Sequence, residues 1–88
     1  MAESRTYEVR LLVTARRQLL RVPARIRSRV GNAIRALSAD PRPPCKKLAG
    51  SSDYYRIRVS DYRVLYEVRD SDVLVLVIKI GHRREVYR

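Results

Sequence analysis

The stretch Tyr54-Tyr55-Arg56-Ile57-Arg58-Val59-Ser60-Asp61-Tyr62-Arg63-Val64-Leu65-Tyr66-Glu67-Val68-Arg69 decides the fold. Two runs rich in β-branched and aromatic residues flank Ser60-Asp61, a pair of turn formers, which is the pattern of a β-hairpin. Pairing across that turn sets Arg58 opposite Arg63, Ile57 opposite Val64 and Tyr55 opposite Tyr66. Side chains alternate between the faces of a strand, so one face carries Tyr55, Ile57, Val59, Tyr62, Val64, Tyr66 and Val68. The other carries Tyr54, Arg56, Arg58, Arg63, Leu65 and Glu67. The first is a core face and the second is basic. Like charges directly opposite each other across strands repel, so Arg58 and Arg63 are best accommodated with an anion between them.

Working outward, Asp70-Ser71-Asp72 is a second turn, and Val73 to Ile80 a third strand, apolar except for Lys79. A three-residue turn places Leu74, Leu76, Ile78 and Ile80 on the core face and Val73, Val75, Val77 and Lys79 on the basic one. That register keeps the lysine out of the core. Upstream, Tyr7 to Val13 reads as a first strand. Thr14 is positioned to cap a short helix, Ala15 to Arg21. Pro23 suits the first turn of a second helix. This helix runs from about Ala24 to Leu37, with Ile26, Val30, Ala33, Ile34 and Leu37 on one face at helical spacing. Asp40-Pro41-Arg42-Pro43-Pro44 ends it, and Lys46 to Asp53 is a polar approach to the hairpin. The order β-α-α-β-β-β predicts an α+β fold: a helical hairpin packed on one face of a mostly antiparallel four-stranded sheet. The first strand is joined through helices, so it is free to pair in parallel with a later strand; the sequence leaves its partner open.

A length of 88 residues predicts one domain over residues 1–88. A hydrophobic content of 45% excludes global disorder. With no Trp and no Phe, aliphatic residues and six tyrosines must build the core. The formal charge is +11, from 20 Lys+Arg against 9 Asp+Glu. Lys46, Lys47 and Lys79 are the lysines; every other basic residue is arginine, whose planar fork matches phosphate and stacks on bases. Such a balance favours a polyanionic partner. Cys45 is the single cysteine and cannot form an internal disulfide, which fits a reducing cytoplasm. The N-terminus has no signal-peptide core, and no run approaches a membrane span. One Cys and one His make no zinc ligand set, and no cofactor is expected.

The chain closes on Gly81-His82-Arg83-Arg84-Glu85-Val86-Tyr87-Arg88. The stretch combines the one histidine, three arginines and a tyrosine. A proton-transfer group, fixed positive charges and a stacking phenol are what RNA chemistry without a metal needs.

At this point the chain resembles the RelE/ParE superfamily of bacterial toxins. The element order, Lys47-Leu48-Ala49-Gly50, Tyr55 to Val59, Tyr62 to Val68 and the closing Gly81 to Tyr87 carry the resemblance over nearly the whole chain. RelE-like membership implies a ribosome-dependent endoribonuclease that cuts mRNA in the decoding site. In that chemistry the ribose 2′-OH attacks the adjacent phosphate. The resemblance implies catalytic roles for Arg56, Arg58, Arg63, Arg83 and Tyr87. It also implies a RelB-like antitoxin partner, which the +11 charge complements if that protein is acidic and partly disordered. Lys46, Lys47, Tyr54, Lys79 and Arg84 are candidate RNA contacts.

Arginine stands at positions 56 and 58 where the RelE pattern has lysines. Arginine binds phosphate and stabilises developing charge, but does not shed its proton to act as a base. The base is then His82, a residue type whose charge change ordinarily lies near the working pH, or Tyr87, with Glu67 third. Two other readings stay open. A ParE-like member would poison DNA gyrase without cleaving RNA, and a non-catalytic RNA-binding module would use the charge alone.

Overall fold

The computed structural model describes residues 6–43, 46–47 and 53–82. Strand β1 (Glu8–Leu11) leads into helices α1 (Val13–Arg21) and α2 (Ala24–Ala36). Strands β2 (Lys46–Lys47), β3 (Tyr54–Val59), β4 (Tyr62–Arg69) and β5 (Leu74–His82) follow, with a single 3-10 turn at Asp70–Asp72 between the last two. The sheet runs in the order β1-β5-β4-β3-β2. β3, β4 and β5 are antiparallel neighbours, whereas β1 pairs in parallel with β5, with Val9 beside Val75 and Leu11 beside Val77. Four strands and two helices form the expected α+β body. The two-residue β2 adds a short edge on residues that read as a polar approach.

The hairpin register matches the sequence reading: Arg58 faces Arg63, Ile57 faces Val64 and Tyr55 faces Tyr66. Beneath the helices the core gathers Tyr55, Ile57, Val64, Tyr66 and Val68 from the hairpin, with Val30, Ile34 and Leu37 from α2. The stripe expected on α2 is the one buried. Tyr66 is fully buried, and its hydroxyl donates to the Pro41 carbonyl at 2.9 Å. A buried tyrosine needs such a partner for its polar end.

β5 departs from its expected register. Val75 and Val77, assigned to the basic face, are buried opposite Val68 and Tyr66, while Leu74, Leu76 and Ile78 are only half-buried. Lys79 and Ile80 nevertheless lie where expected, opposite Leu65 and Val64. The two halves are reconciled by a β-bulge: Ile78 is an extra residue opposite the Leu65–Tyr66 step. One inserted residue inverts the alternation. Without it, the phase that buries Val75 and Val77 would also bury Lys79, and burying an uncompensated ammonium costs several kcal/mol.

The start of α1 also differs. The helix begins at Val13, with Leu12 as an extended cap residue that makes no side-chain capping bond. Thr14 is therefore inside the first turn and is not the cap. Pro23 is the cap residue of α2, just before its first turn. At the junction Arg27 Nε donates to the Val22 carbonyl at 3.2 Å, satisfying a carbonyl beyond the end of α1.

At the opposite end of the sheet from the β3–β4 turn, the linker after α2 is pinned. Arg42 Nε donates to the Tyr55 hydroxyl at 2.8 Å, and its Nη2 and Nη1 reach the Asp70 carboxylate at 2.8 and 3.2 Å. Its guanidinium lies 5.3 Å from the Tyr55 ring centroid. Tyr7 donates its hydroxyl to the same carboxylate at 2.6 Å. That hydrogen bond raises the Tyr7 pKa above its ordinary 10.0, and Asp70 also raises that of Arg42. The α2 end, β1, β3 and the 3-10 turn are thereby tied together.

Candidate functional site

The sheet face turned away from the helices carries the arginines. Ser60-Asp61 closes the β3–β4 hairpin in two residues, with Ser60 at φ 56°. A positive φ at only the first central residue is the sign pattern of a type II′ turn, whose twist suits tightly paired strands. The tight turn fixes Arg58 against Arg63, and Arg63 in turn pairs with Gly81 of β5. Glycine leaves no side chain beside Arg63 in that row. The next row along the sheet is Lys46, Arg56, Leu65 and Lys79, paired in that order across β2 to β5.

These residues differ in their freedom. Arg63 is only 6% exposed and held by its surroundings, whereas Arg58 is exposed, with Nε 3.4 Å from the Ser60 carbonyl. Arg56 and Lys79 are half-buried. Tyr54 is 37% exposed, farther along the same face and paired with Glu67. Glu67 Oε1 lies 3.2 Å from Arg69 Nε. Four residues of strand, about 13 Å, separate Glu67 from Arg63, so this carboxylate is remote from the Arg58–Arg63 pair.

His82 lies elsewhere. It pairs with Tyr62, and the two rings meet edge-on with centroids 5.6 Å apart and planes at 79°. Tyr62 shares the helix-side face with Val64 and Tyr66, so His82 does too. The structure therefore brings Arg56, Arg58, Arg63 and Lys79 together on one face and sets His82 on the other. Carrying the alternation two residues past Ile80 would have placed His82 on the core side from the sequence alone. Arg83, Arg84 and Tyr87 lie outside the described residues, as do the side chains of Lys46 and Lys47.

At the β5 edge beyond Val77, a cleft of about 440 Å³ opens between the end of α1 and the ends of β4 and β5, and residues of both faces reach it. Val22 and Ile80 line it, together with Gln18, Arg21, Tyr62, Lys79, Gly81 and His82. Gln18 Oε1 accepts the Ile80 backbone N–H at 2.7 Å. The reason is topological: β1 pairs with β5 only as far as Val77, so a side chain from α1 serves the strand beyond it. Sequence reasoning missed Gln18 and Arg21, because nothing in the order of residues shows which part of β5 lies under α1. Among the described residues, no group of three or more His, Cys, Asp or Glu side chains is placed to hold a metal ion. None of their helices is long and apolar enough to cross a membrane.

The sequence profile of the ParE toxin of type II toxin-antitoxin systems, parDE, matches residues 9–87. The chain belongs to the ParE toxin family. Within the wider RelE/ParE superfamily, it is 36% identical over 87 residues to Toxin RelG of Mycobacterium tuberculosis, covering 93% of this chain and 97% of RelG. It is 36% identical over 66 residues to the mRNA interferase toxin RelE of Escherichia coli K12, covering 70% of each. The toxin in the crystal structure of the RelBE2 toxin-antitoxin complex from Mycobacterium tuberculosis superimposes with a TM-score of 0.79 at 32% identity, covering 94% of this chain and 98% of that one. The protein is thus a type II toxin with the fold of the RelE toxins, and its basic sheet face is the surface to interpret chemically.

Proposed function

We propose that this toxin is a ribosome-dependent endoribonuclease acting on mRNA. The observation that carries the reading is the placement of Arg58 directly against the buried Arg63, with Arg56 and Lys79 in the adjoining row. Like charges directly opposite each other across strands repel, and the exposed guanidinium of Arg58 suits a phosphate, to which it can offer a planar pair of donors with the positive charge of Arg63 beside it.

In the proposed reaction the ribose 2′-oxygen forms a bond to the adjacent phosphorus and the bond to the 5′-oxygen breaks. A 2′,3′-cyclic phosphate is left on one fragment, and the departing 5′-oxygen takes a proton from water to become a 5′-hydroxyl on the other. Negative charge grows on the non-bridging oxygens, and Arg58 and Arg63 stabilise it. The 2′-OH proton needs a separate acceptor. The opposite facing of His82 and the distance of Glu67 favour Tyr87, next to the arginines of its own motif, in that role. Arg83 assists on the phosphate. Arg84, Lys46, Lys47 and Tyr54 extend the RNA contact surface. The working compartment is the cytoplasm, and the antidote is a RelB-like antitoxin of acidic character. The likeness to the toxin of the RelBE2 complex supports that partner.

Primer extension on mRNA after induction tests the reading. Cuts within translated codons, lost in Arg58→Ala at equal protein abundance, are the expected result. The matching family is described as the ParE toxin of type II toxin-antitoxin systems, and a ParE-like member would poison DNA gyrase, so a second reading is inhibition of that enzyme. Intact mRNA together with inhibited supercoiling by purified gyrase would establish that reading and sink the nuclease.

A further inference from the structure

We propose that the cleft beside His82 is a nucleotide subsite, which takes one unstacked nucleotide of single-stranded RNA next to the phosphate held by Arg58 and Arg63. The inference rests on the reading that the toxin acts on RNA, but uses Gln18, Arg21, Tyr62 and His82, none of which belongs to the Arg58–Arg63 row. The cleft, at about 440 Å³, falls within the size range of small-molecule sites. Its chemistry is that of a nucleotide. The edge-on Tyr62–His82 pair presents an aromatic wall, and Val22 and Ile80 give an apolar floor. Together they suit a base lifted out of its stack.

Arg21 supplies the charge. It is exposed in the last turn of α1, and among the described residues no carboxylate lines the cleft to neutralise it. A phosphate at the rim would be held by this guanidinium. Gln18 is fixed through the Ile80 N–H, which leaves its amide NH2 group to read a base edge.

Position links the cleft to the basic face. The Tyr62–His82 pair is the row next to Arg63–Gly81, about 3.3 Å along the strands. The two rows point to opposite faces, and β4 begins at Tyr62, immediately after the Ser60-Asp61 turn. An RNA strand rounding this end of the sheet meets the arginines on one side and the aromatic cleft on the other. His82 then has a binding role in the row beside the scissile phosphate.

The test is a titration of the isotope-labelled toxin with adenosine and guanosine 5′-monophosphates, followed by NMR. Saturable shifts at Gln18, Gly81 and His82 are expected. They should be lost in Arg21→Glu and Tyr62→Leu, and kept in Tyr62→Phe and Arg58→Ala. Affinity for a single-stranded RNA trinucleotide should fall about tenfold in Tyr62→Leu, the scale of one base-stacking contact. Each variant is compared at matched thermal stability. Shifts confined to Arg56, Arg58 and Arg63, or no shifts at millimolar nucleotide, overturn the subsite. So does a cleft that responds to an oligoglutamate peptide and to no nucleotide, which would assign it to a protein partner. Nucleotide binding in the cleft without mRNA cleavage on ribosomes would leave the subsite standing and remove only the nuclease reading.

Discussion

On the proposed nuclease reading, Arg58 is the residue at which activity and stability pull in opposite directions. Its side chain is exposed and opposes Arg63, so its removal relieves a repulsion and uncovers no core. Arg58→Ala should therefore leave the folded state as stable as before or more so, by up to ~1 kcal/mol, the range of a cross-strand charge pair. Cleavage should fall by about 100-fold or more, the scale of losing one donor to a developing oxyanion. Urea unfolding and single-turnover cleavage on programmed ribosomes measure the two sides. A variant that is less stable and fully active would mean that the arginine serves the fold. Tyr7 gives a residue-scale prediction of another kind. Its pKa is raised by the hydrogen bond to Asp70, so the folded state favours the protonated phenol. That contribution is intact below the ordinary tyrosine value of 10.0 and is lost as pH rises through the higher folded value. Stability should decline on that alkaline limb, and Tyr7→Phe should flatten the decline.

At the scale of the elements, strain and clasp lie at one end of the sheet and the candidate site at the other. Val73, after the 3-10 turn, has φ 49° and ψ 52°. A β-branched residue in the left-handed region costs ~1–2 kcal/mol. Val73→Asn should recover part of this, about 0.5–1 kcal/mol net of the lost apolar contact, seen as a higher urea midpoint with unchanged slope. Arg42→Ala should cost ~1–2 kcal/mol, combining a hydrogen bond to Tyr55 with a cation–π contact; its half-exposed ion pair with Asp70 adds little. The sequence showed the elements unevenly, for physical reasons. The β3–β4 hairpin was fully legible because a two-residue turn and strict alternation are local signals. The α2 stripe was legible for the same reason. The bulge at Ile78 was not: two apolar runs of opposite phase, Val75-Val77 and Ile80, compete within β5, and only the facing strand decides where the phase changes. The parallel pairing of β1 with β5 was left open because a crossover through two helices leaves no turn to fix it. In the candidate site the Arg56, Arg58 and Arg63 cluster followed from hairpin parity, whereas grouping His82 with them relied on closeness in sequence, which alternation between faces overrides.

At the scale of the whole molecule the dominant quantity is the charge of +11. Alone it would attract any polyanion, so it cannot distinguish a specific site from a diffuse basic surface; the salt dependence of binding can. If RNA is bound chiefly through Arg56, Arg58, Arg63 and Lys79, about four phosphates are neutralised. The logarithm of affinity should then fall with the logarithm of salt at a slope of about −3, since each contact to a single strand contributes about −0.7. Removing Arg58 should make the slope shallower by roughly one such step. Removing Arg29, an exposed arginine on α2 remote from the basic sheet face, should leave it unchanged. Binding of a fluorescent RNA oligonucleotide between 50 and about 300 mM salt measures all three slopes. A slope near −7 that every arginine shares equally would mean that the charge acts as a smeared surface. Localised RNA recognition on the sheet would then be wrong, and the Arg58–Arg63 pair would need another explanation.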